Sequence, residues 1–320
     1  MRPYGQRDRA GQARALRAAL VQEFLAAGEP IRSARLLIHQ HNTSFAVVLA
    51  SGSRRFVRVT RDTERSPAEL GAEMRWVSRL AQERHPVAAP IAWPNGGFVR
   101  TVESAAGVTH LVQTEWALGV VVRRPGPHHF RAIGRQMALF HTSEAQTDDI
   151  VSDRWAVDAA VGNALNEEES LAMVFEVMGD GVRDTCARAA EEYLAARDDM
   201  GPIRLIHGDM HHHNVLFDGR RPTIVDFDDC GTAPLLYDLL VPVTNIEGPG
   251  REACEAALFE GYREVAEIPG DFARHRSTLD RLRLVQMIFW VIENRDHPSF
   301  ARTWESEVHE MLQMLRDSRK

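Results

Sequence analysis

Residues 207–216 read HGDMHHHNVL, and a little further on residues 225–229 read VDFDD. Two chemistries compete for the first stretch. In one, imidazoles hold a metal: His207, Asp209, His211, His212 and His213 are all possible ligands. His207 and His211 have the i,i+4 spacing that shares a face, but only on a helix. Gly208 lies inside the stretch, and Asn214 is followed by Val215, Leu216 and Phe217, the pattern of a loop entering a strand. The HExxH arrangement of helical zinc sites is missing as well.

In the other reading the acid and the amide carry the chemistry. Asp209 and Asn214 have the D-x-x-x-x-N spacing of a protein-kinase catalytic loop. There the Asp accepts the proton of the hydroxyl being phosphorylated, and the Asn holds a magnesium ion. A second carboxylate must reach the metal from another strand. Asp226, at the end of TIVD, is placed like the Asp of D-F-G, and hard oxygen ligands suit magnesium better than imidazole does. The two motifs together favour phosphoryl transfer.

The rest of the chain supports two domains or one large bilobal one, since 320 residues can bury a sizeable core. The reading along the chain is a helix over 13–28, a strand over 31–40, and a hairpin of SFAVVLA and RRFVRVT around the turn SGS. A helix over 67–83, opening at Pro67, and two strands, FVRTVES and THLVQTEW, complete this part. From about residue 129 the pattern turns helical, at 130–145, 182–196, 251–267, 278–294 and 303–319, with PTIVDF as a strand before the acidic pair. The lobe boundary falls near 115–128, which gives domains of 1–116 and 117–320.

A net charge of −7 without a basic stripe argues against nucleic acid as partner, and no apolar run of membrane length occurs. Three scattered cysteines with no CxxC point to a reducing compartment, so the expected location is the cytoplasm.

HGDMHHHNVL, VDFDD and the following APLLYDLL resemble the phosphotransferase family of aminoglycoside phosphotransferases, choline kinases, type II homoserine kinases and stress-response kinase A. The resemblance is carried by His207, Gly208, Asp209, His211, Asn214 and Asp226. GRQMALFH (134–141), FVRV with AELGAEMRWVSRL, HPVAAPIAWPNG and FEGYR (259–263) extend it over most of the chain. It implies an α+β, bilobal, protein-kinase-like fold with a small antiparallel-sheet N-lobe for nucleotide and a larger, mostly helical C-lobe for catalysis and acceptor. It also implies ATP, or GTP, and Mg2+ as cofactors. Asp209 would be the base and Asn214 and Asp226 metal ligands. Asp228 would assist the metal or organise the turn, and Asp229 is a second turn carboxylate. His207 and His211 would scaffold the loop, while His212 and His213 match no family position and read as partly exposed loop residues. Asp238 would fix local geometry.

At the nucleotide end, Arg58 takes the position of the usual lysine and Glu73 is its expected partner, with Glu69 one turn earlier as competitor. The phosphate-covering turn HQHNTSF (39–45) has no glycine, so Asn42, Thr43 and Ser44 would supply donors. The adenine hinge falls at Gln113–Trp116, with Gln113 and Glu115 as contacts. The acceptor is a small-molecule hydroxyl (amino alcohol, hydroxy amino acid, aminoglycoside or sugar), to be selected by residues 150–200 and the C-terminal helices, where Trp290 and Arg295 either line the acceptor cleft or pack and cap a helix. Three alternatives stay open: a Ser/Thr protein kinase of the stress-response type, a nucleotide-binding pseudokinase-like protein, and a metal-dependent hydrolase.

Overall fold

The structure, a computed structural model, describes residues 4–39, 42–61, 65–94, 96–145, 181–295 and 300–318. It divides into two compact units, residues 1–120 with 216–225, and residues 121–215 with 226–320.

The first unit opens with helix α1 (Arg9–Ala26), which starts earlier than expected because the Asp8 side chain accepts the Gly11 N–H at 2.7 Å and caps the first turn. Strands β1 (Ile31–His39), β2 (Thr43–Leu49), β3 (Arg54–Arg61), β4 (Arg100–Ser104) and β5 (Gly107–Glu115) form one antiparallel sheet in the order β1-β2-β3-β5-β4. Alternation along the strands gives the sheet two buried faces. Phe45, Val47, Val57, Val59 and Leu111 pack with Leu16, Leu20 and Phe24 of α1, spaced so that one stripe of that helix meets the sheet. Each such side chain contributes roughly 1.5–3 kcal/mol by leaving water. Val112, the neighbour of Leu111, points the other way onto Leu70 and Met74 of helix α2 (Pro67–Gln82). Arg58 pairs with Val112 across the ladder and so shares the α2 face.

After the short strand β6 (Val120–Val121), the hairpin of strands β8 (Val215–Asp218) and β9 (Arg221–Ile224) counts with this unit from residue 216. Ile224 donates its N–H to Pro86 O at 2.7 Å, and a Cβ at Gly119 would lie 2.7 Å from the Phe217 carbonyl carbon. The strand expected over PTIVDF ends at Ile224. Asp226 has φ +65°, a left-handed backbone that no strand ladder accepts.

The second unit is built on helices α3 (Pro127–Thr142), α4 (Gly181–Ala196), α5 (Leu235–Thr244), α6 (Arg251–Arg263), α7 (Phe272–Glu293) and α8 (Trp304–Asp317), with short strands β7 (Ile203–Ile206) and β10 (Gly231–Pro234) paired antiparallel. Helix α5 is buried from Leu235 to Val243, as its unbroken apolar run requires, and Asp238 is enclosed with it. Helix α7 starts a full turn before the expected 278 because Asp271 caps it through the Arg274 N–H, at 3.0 Å. Helices α3 and α6 cross backbone to backbone. A Cβ at Gly134 would sit 1.9 Å from Leu258 O, and one at Gly261 would sit 2.0 Å from Arg131 O. All three cysteines are buried thiols outside any disulfide.

The reciprocal glycine crossing yields a direct test. Gly261→Ala forces α3 and α6 apart and should cost about 2–3 kcal/mol or more, read as a lower urea midpoint; an unchanged midpoint would show that the helices do not meet there.

Candidate active site

The loop 207–214 hangs from one buried carboxylate. Asp238, fully enclosed on α5, accepts the Gly208 N–H at 2.9 Å on Oδ1 and the His207 N–H at 3.2 Å on Oδ2. His141 of α3 approaches Oδ2 with Nε2 at 3.1 Å and turns Nδ1 to the Tyr262 hydroxyl at 2.9 Å. Helices α3, α5 and α6 therefore meet at the loop through hydrogen bonds with no solvent access. Gly208 has φ +80°, and a Cβ there would lie 2.2 Å from Asp229 O, so only glycine lets the loop pass the acidic turn this closely. The buried His207 ring packs 4.5 Å from that of Phe227, joining the loop to VDFDD.

Asp209, next in the chain, is held by three side chains. Its Oδ2 lies 3.1 Å from His211 Nε2 and 3.0 Å from Asn214 Nδ2, and its Oδ1 lies 2.8 Å from Arg283 Nη2. His211 Nδ1 accepts the His213 N–H at 3.1 Å, which leaves Nε2 to carry the proton toward Asp209. Burial opposes ionisation of Asp209, but the His211 hydrogen bond and the Arg283 charge outweigh it and hold the carboxyl down at about 2. Because Asn214 gives Nδ2 to both Asp209 O and Oδ2, its amide oxygen is turned away from Asp209 and accepts no hydrogen bond among the described residues.

The acidic turn follows. Asp226 is exposed on its left-handed backbone between buried Ile224 and Phe227, while Asp228 and Asp229 are half-buried. Among the described residues Asp229 makes no hydrogen bond through its side chain. Burial first, and then the charges of Asp209, Asp228 and Asp226, push its carboxyl well above the usual range, against the opposing pull of Arg283. This region has the hard oxygens of Asn214, Asp226 and Asp228 and an excess of negative charge, the donor chemistry of a magnesium or calcium site.

In the first unit, Arg58 and Arg65 both donate to Oε2 of buried Glu73, each at 2.7 Å. The Glu69 carboxylate accepts the Ser66 N–H at 2.7 Å and closes a capping box at the start of α2. Asn42 Oδ1 accepts from Thr60 at 2.6 Å, and buried Thr43 shares a 2.7 Å contact with His39 Nδ1, while Ser44 is buried in β2. These turn side chains are tied inward. Gln113 is fully buried, with Oε1 accepting from Arg55 at 2.8 Å, whereas Glu115 is exposed and its N–H donates to Ala89 O at 2.8 Å.

Several residues stand where the sequence did not place them. His212 is buried rather than partly exposed: its ring sits 6.5 Å from Phe130, and burial followed by the charges of His213 and His211 pushes it down to about 4. His213 is exposed. Trp290 packs edge-on to Phe300 at 5.0 Å, and Arg295 donates to Ile292 O at 3.0 Å, so both serve the end of α7. Of the region expected to select the acceptor, residues 150–180 lie outside the described residues. Among the described residues no three His, Cys, Asp or Glu side chains converge in the geometry of a metal site, and no helix is long and apolar enough to cross a membrane.

The residue that sequence reading missed is Arg283. Besides Asp209 it reaches Gln286 Oε1 at 2.7 Å and the Tyr237 hydroxyl at 3.3 Å, and Tyr237 in turn donates to Gln286. Arg281, two residues earlier, faces the other side of α7 and binds Glu192 and Leu315 O. Nothing in RLRLVQ separates the two arginines; only the rotation of the helix does.

A model of the phosphotransferase enzyme family matches residues 34–277. By sequence the chain is similar to amicoumacin kinase of Bacillus subtilis (strain 168), 26% identical over 198 residues that cover 59% of this chain and 56% of that one. It is also similar to homoserine kinase of Caulobacter sp. (strain K31), 23% identical over 232 residues, 69% of this chain and 68% of that one. The match thus spans little more than half the length of the first relative. A solved amicoumacin kinase in complex with AMP-PNP and Ca2+ superposes with a TM-score of 0.75 at 19% identity, over 95% of this chain and 96% of that chain. The fold is therefore the expected α+β, protein-kinase-like class, with an antiparallel sheet in the N-terminal part and a helical C-terminal part.

Two outcomes follow from the electrostatics. Asp238→Ala leaves two buried N–H groups and His141 without their acceptor and should cost roughly 3–5 kcal/mol in urea denaturation; a loss below about 1 kcal/mol would show the loop to be held otherwise. Asp229 has a raised carboxyl, so the stability it contributes at acid pH is lost as pH rises through its folded value. Asp229→Asn should then stabilise the cation-free protein at pH 7 by on the order of 1 kcal/mol, and the gain should vanish near pH 4 in a melting series.

Proposed function

The chain belongs to the phosphotransferase enzyme family, and from that premise we propose that it transfers the terminal phosphate of ATP or GTP to a hydroxyl of a small molecule, an amino alcohol, hydroxy amino acid, aminoglycoside or sugar. Asp209 is the base in this reading, residues 1–116 form the nucleotide lobe, and 117–320 form the catalytic and acceptor lobe. The observation that carries it is the Asp209–Asn214 hydrogen bond, 3.0 Å long, which fixes an ionised carboxylate while leaving the amide oxygen of Asn214 to a cation. The relative solved with AMP-PNP and Ca2+ supports a nucleotide and a divalent cation.

Asn214, Asp226 and Asp228 would hold Mg2+, and their oxygen donors and surplus negative charge fit that ion. When bound, Mg2+ supplies charge neutralisation at the phosphate oxygens. The protein's own task is positioning. A carboxylate held at about 2 is ionised throughout the neutral range but is a weak base. Such a base suits phosphoryl transfer through a loose transition state, in which the acceptor's proton leaves late. Arg58 would meet the phosphates, with its guanidinium set by Glu73 and reinforced by Arg65. Asn42, Thr43, Ser44, Gln113 and Glu115 complete the nucleotide lobe in this reading: the first three shape its turn, and Gln113 braces the strand that ends at the exposed Glu115.

The decisive measurement is a phosphate-transfer screen with ATP and GTP against amino acids, amino alcohols, aminoglycosides, sugars and a generic protein substrate. Asp209→Asn should keep the fold and lower kcat by about 10²–10⁴-fold; turnover at the wild-type rate, with chemistry limiting, removes Asp209 as base. Nucleotide binding without transfer would restore the pseudokinase-like reading, preferential transfer to protein Ser/Thr the stress-response type, and stoichiometric zinc the hydrolase.

A further inference from the structure

The guanidinium beside the catalytic carboxylate restricts which hydroxyl compounds can arrive. Asp209 Oδ2 already has two donors, His211 and Asn214, whereas Oδ1 has one, Arg283 Nη2. A carboxylate oxygen accepts about two hydrogen bonds, so the open position for an acceptor hydroxyl is on Oδ1, next to Nη2. Arg283 is held from behind. Its Nη1 is engaged by Gln286 Oε1 at 2.7 Å and by the Tyr237 hydroxyl at 3.3 Å, and Tyr237 is locked to Gln286. Those two anchors are neutral, and among the described residues the single carboxylate paired with Arg283 is Asp209. Among the described residues, the Nε–H and one N–H of Nη2 have no partner.

We infer that Arg283 is an acceptor-specificity residue, whose unused N–H groups bind a carboxylate carried close to the reacting hydroxyl, so that the acceptors are hydroxy acids. This rests on the reading of Asp209 as base. The geometry matches the chemistry. A planar guanidinium pinned on one edge offers its remaining donors in fixed directions, the arrangement that recognises carboxylates. An ammonium in the same place would meet a fixed positive charge at short range. An amino group elsewhere on the acceptor is admissible, since the carboxylates of Asp226, Asp228 and Asp229 add negative charge near Asp209. A hydroxy amino acid fits the site, whereas a polycationic aminoglycoside places like charge against Arg283.

The test compares each acid with its own ester, using L-serine, L-homoserine and 4-hydroxybutyrate against their methyl esters, with kanamycin as the polycation. Wild-type enzyme should prefer at least one acid over its ester by about 100-fold in kcat/KM. Arg283→Met and Arg283→Gln should bring that ratio to within about 3-fold, mostly through KM for the acid. Arg283→Lys, which keeps the charge and loses the fork, should recover part of it. The acid-to-ester comparison on wild-type enzyme needs no variant, so a misfolded variant does not shield the idea. Equal use of acid and ester, or a preference for kanamycin, overturns the inference while leaving the kinase reading in place. Transfer to no hydroxyl compound at all overturns that reading, and this inference with it.

Discussion

One buried carboxylate supports the working part of the second unit. Asp238 sits on a helix whose neighbours are Leu235, Leu236, Leu239 and Leu240, where an unpaired charge would be prohibitive. It is tolerated because two loop amides and an imidazole converge on it. The arrangement works in both directions: the donors make the charge tolerable, and the charge fixes where His207 and Gly208 run. Asp209 follows directly in the chain, so a fully buried residue sets the position of its carboxylate. The β7–β10 pair and the close pass of Gly208 over Asp229 then bring the acidic turn beside it.

The two units use charge in opposite ways. In the first, one buried glutamate is shared by two arginines. In the second, one arginine faces Asp209 with three further carboxylates nearby, leaving negative charge in excess. That surplus is costly while partly buried, as the raised Asp229 carboxyl records, and a counter-charge would relieve it.

Much of this was readable from residue order because the signals are local. The SGS turn, Pro67 at the start of α2 and the switch from strand to helical spacing each act within a few residues, and the elements appear where they predict. Helix starts were misjudged where the cap lay outside the apolar pattern, as at Asp8 and Asp271. The strand before VDFDD was drawn too long because apolar character continues to Val225, while the backbone reverses hand at Asp226. His212 looked like its two exposed-looking neighbours and proved to be core, since a single turn of 3-10 helix sends adjacent rings to different surroundings.

The sequence by itself determined the fold class and the order of the elements, because periodicity, caps and turns are written in neighbouring residues. It also set Asp209 and Asn214 at the D-x-x-x-x-N spacing, with Asp226 following in VDFDD. Tertiary structure alone decided the partners: Arg58 and Arg65 together on Glu73, Asp238 as the anchor of the loop, and Arg283 rather than Arg281 at Asp209. Each of those choices depends on which face of a helix meets which loop, and packing between distant segments sets that contact rather than any local pattern.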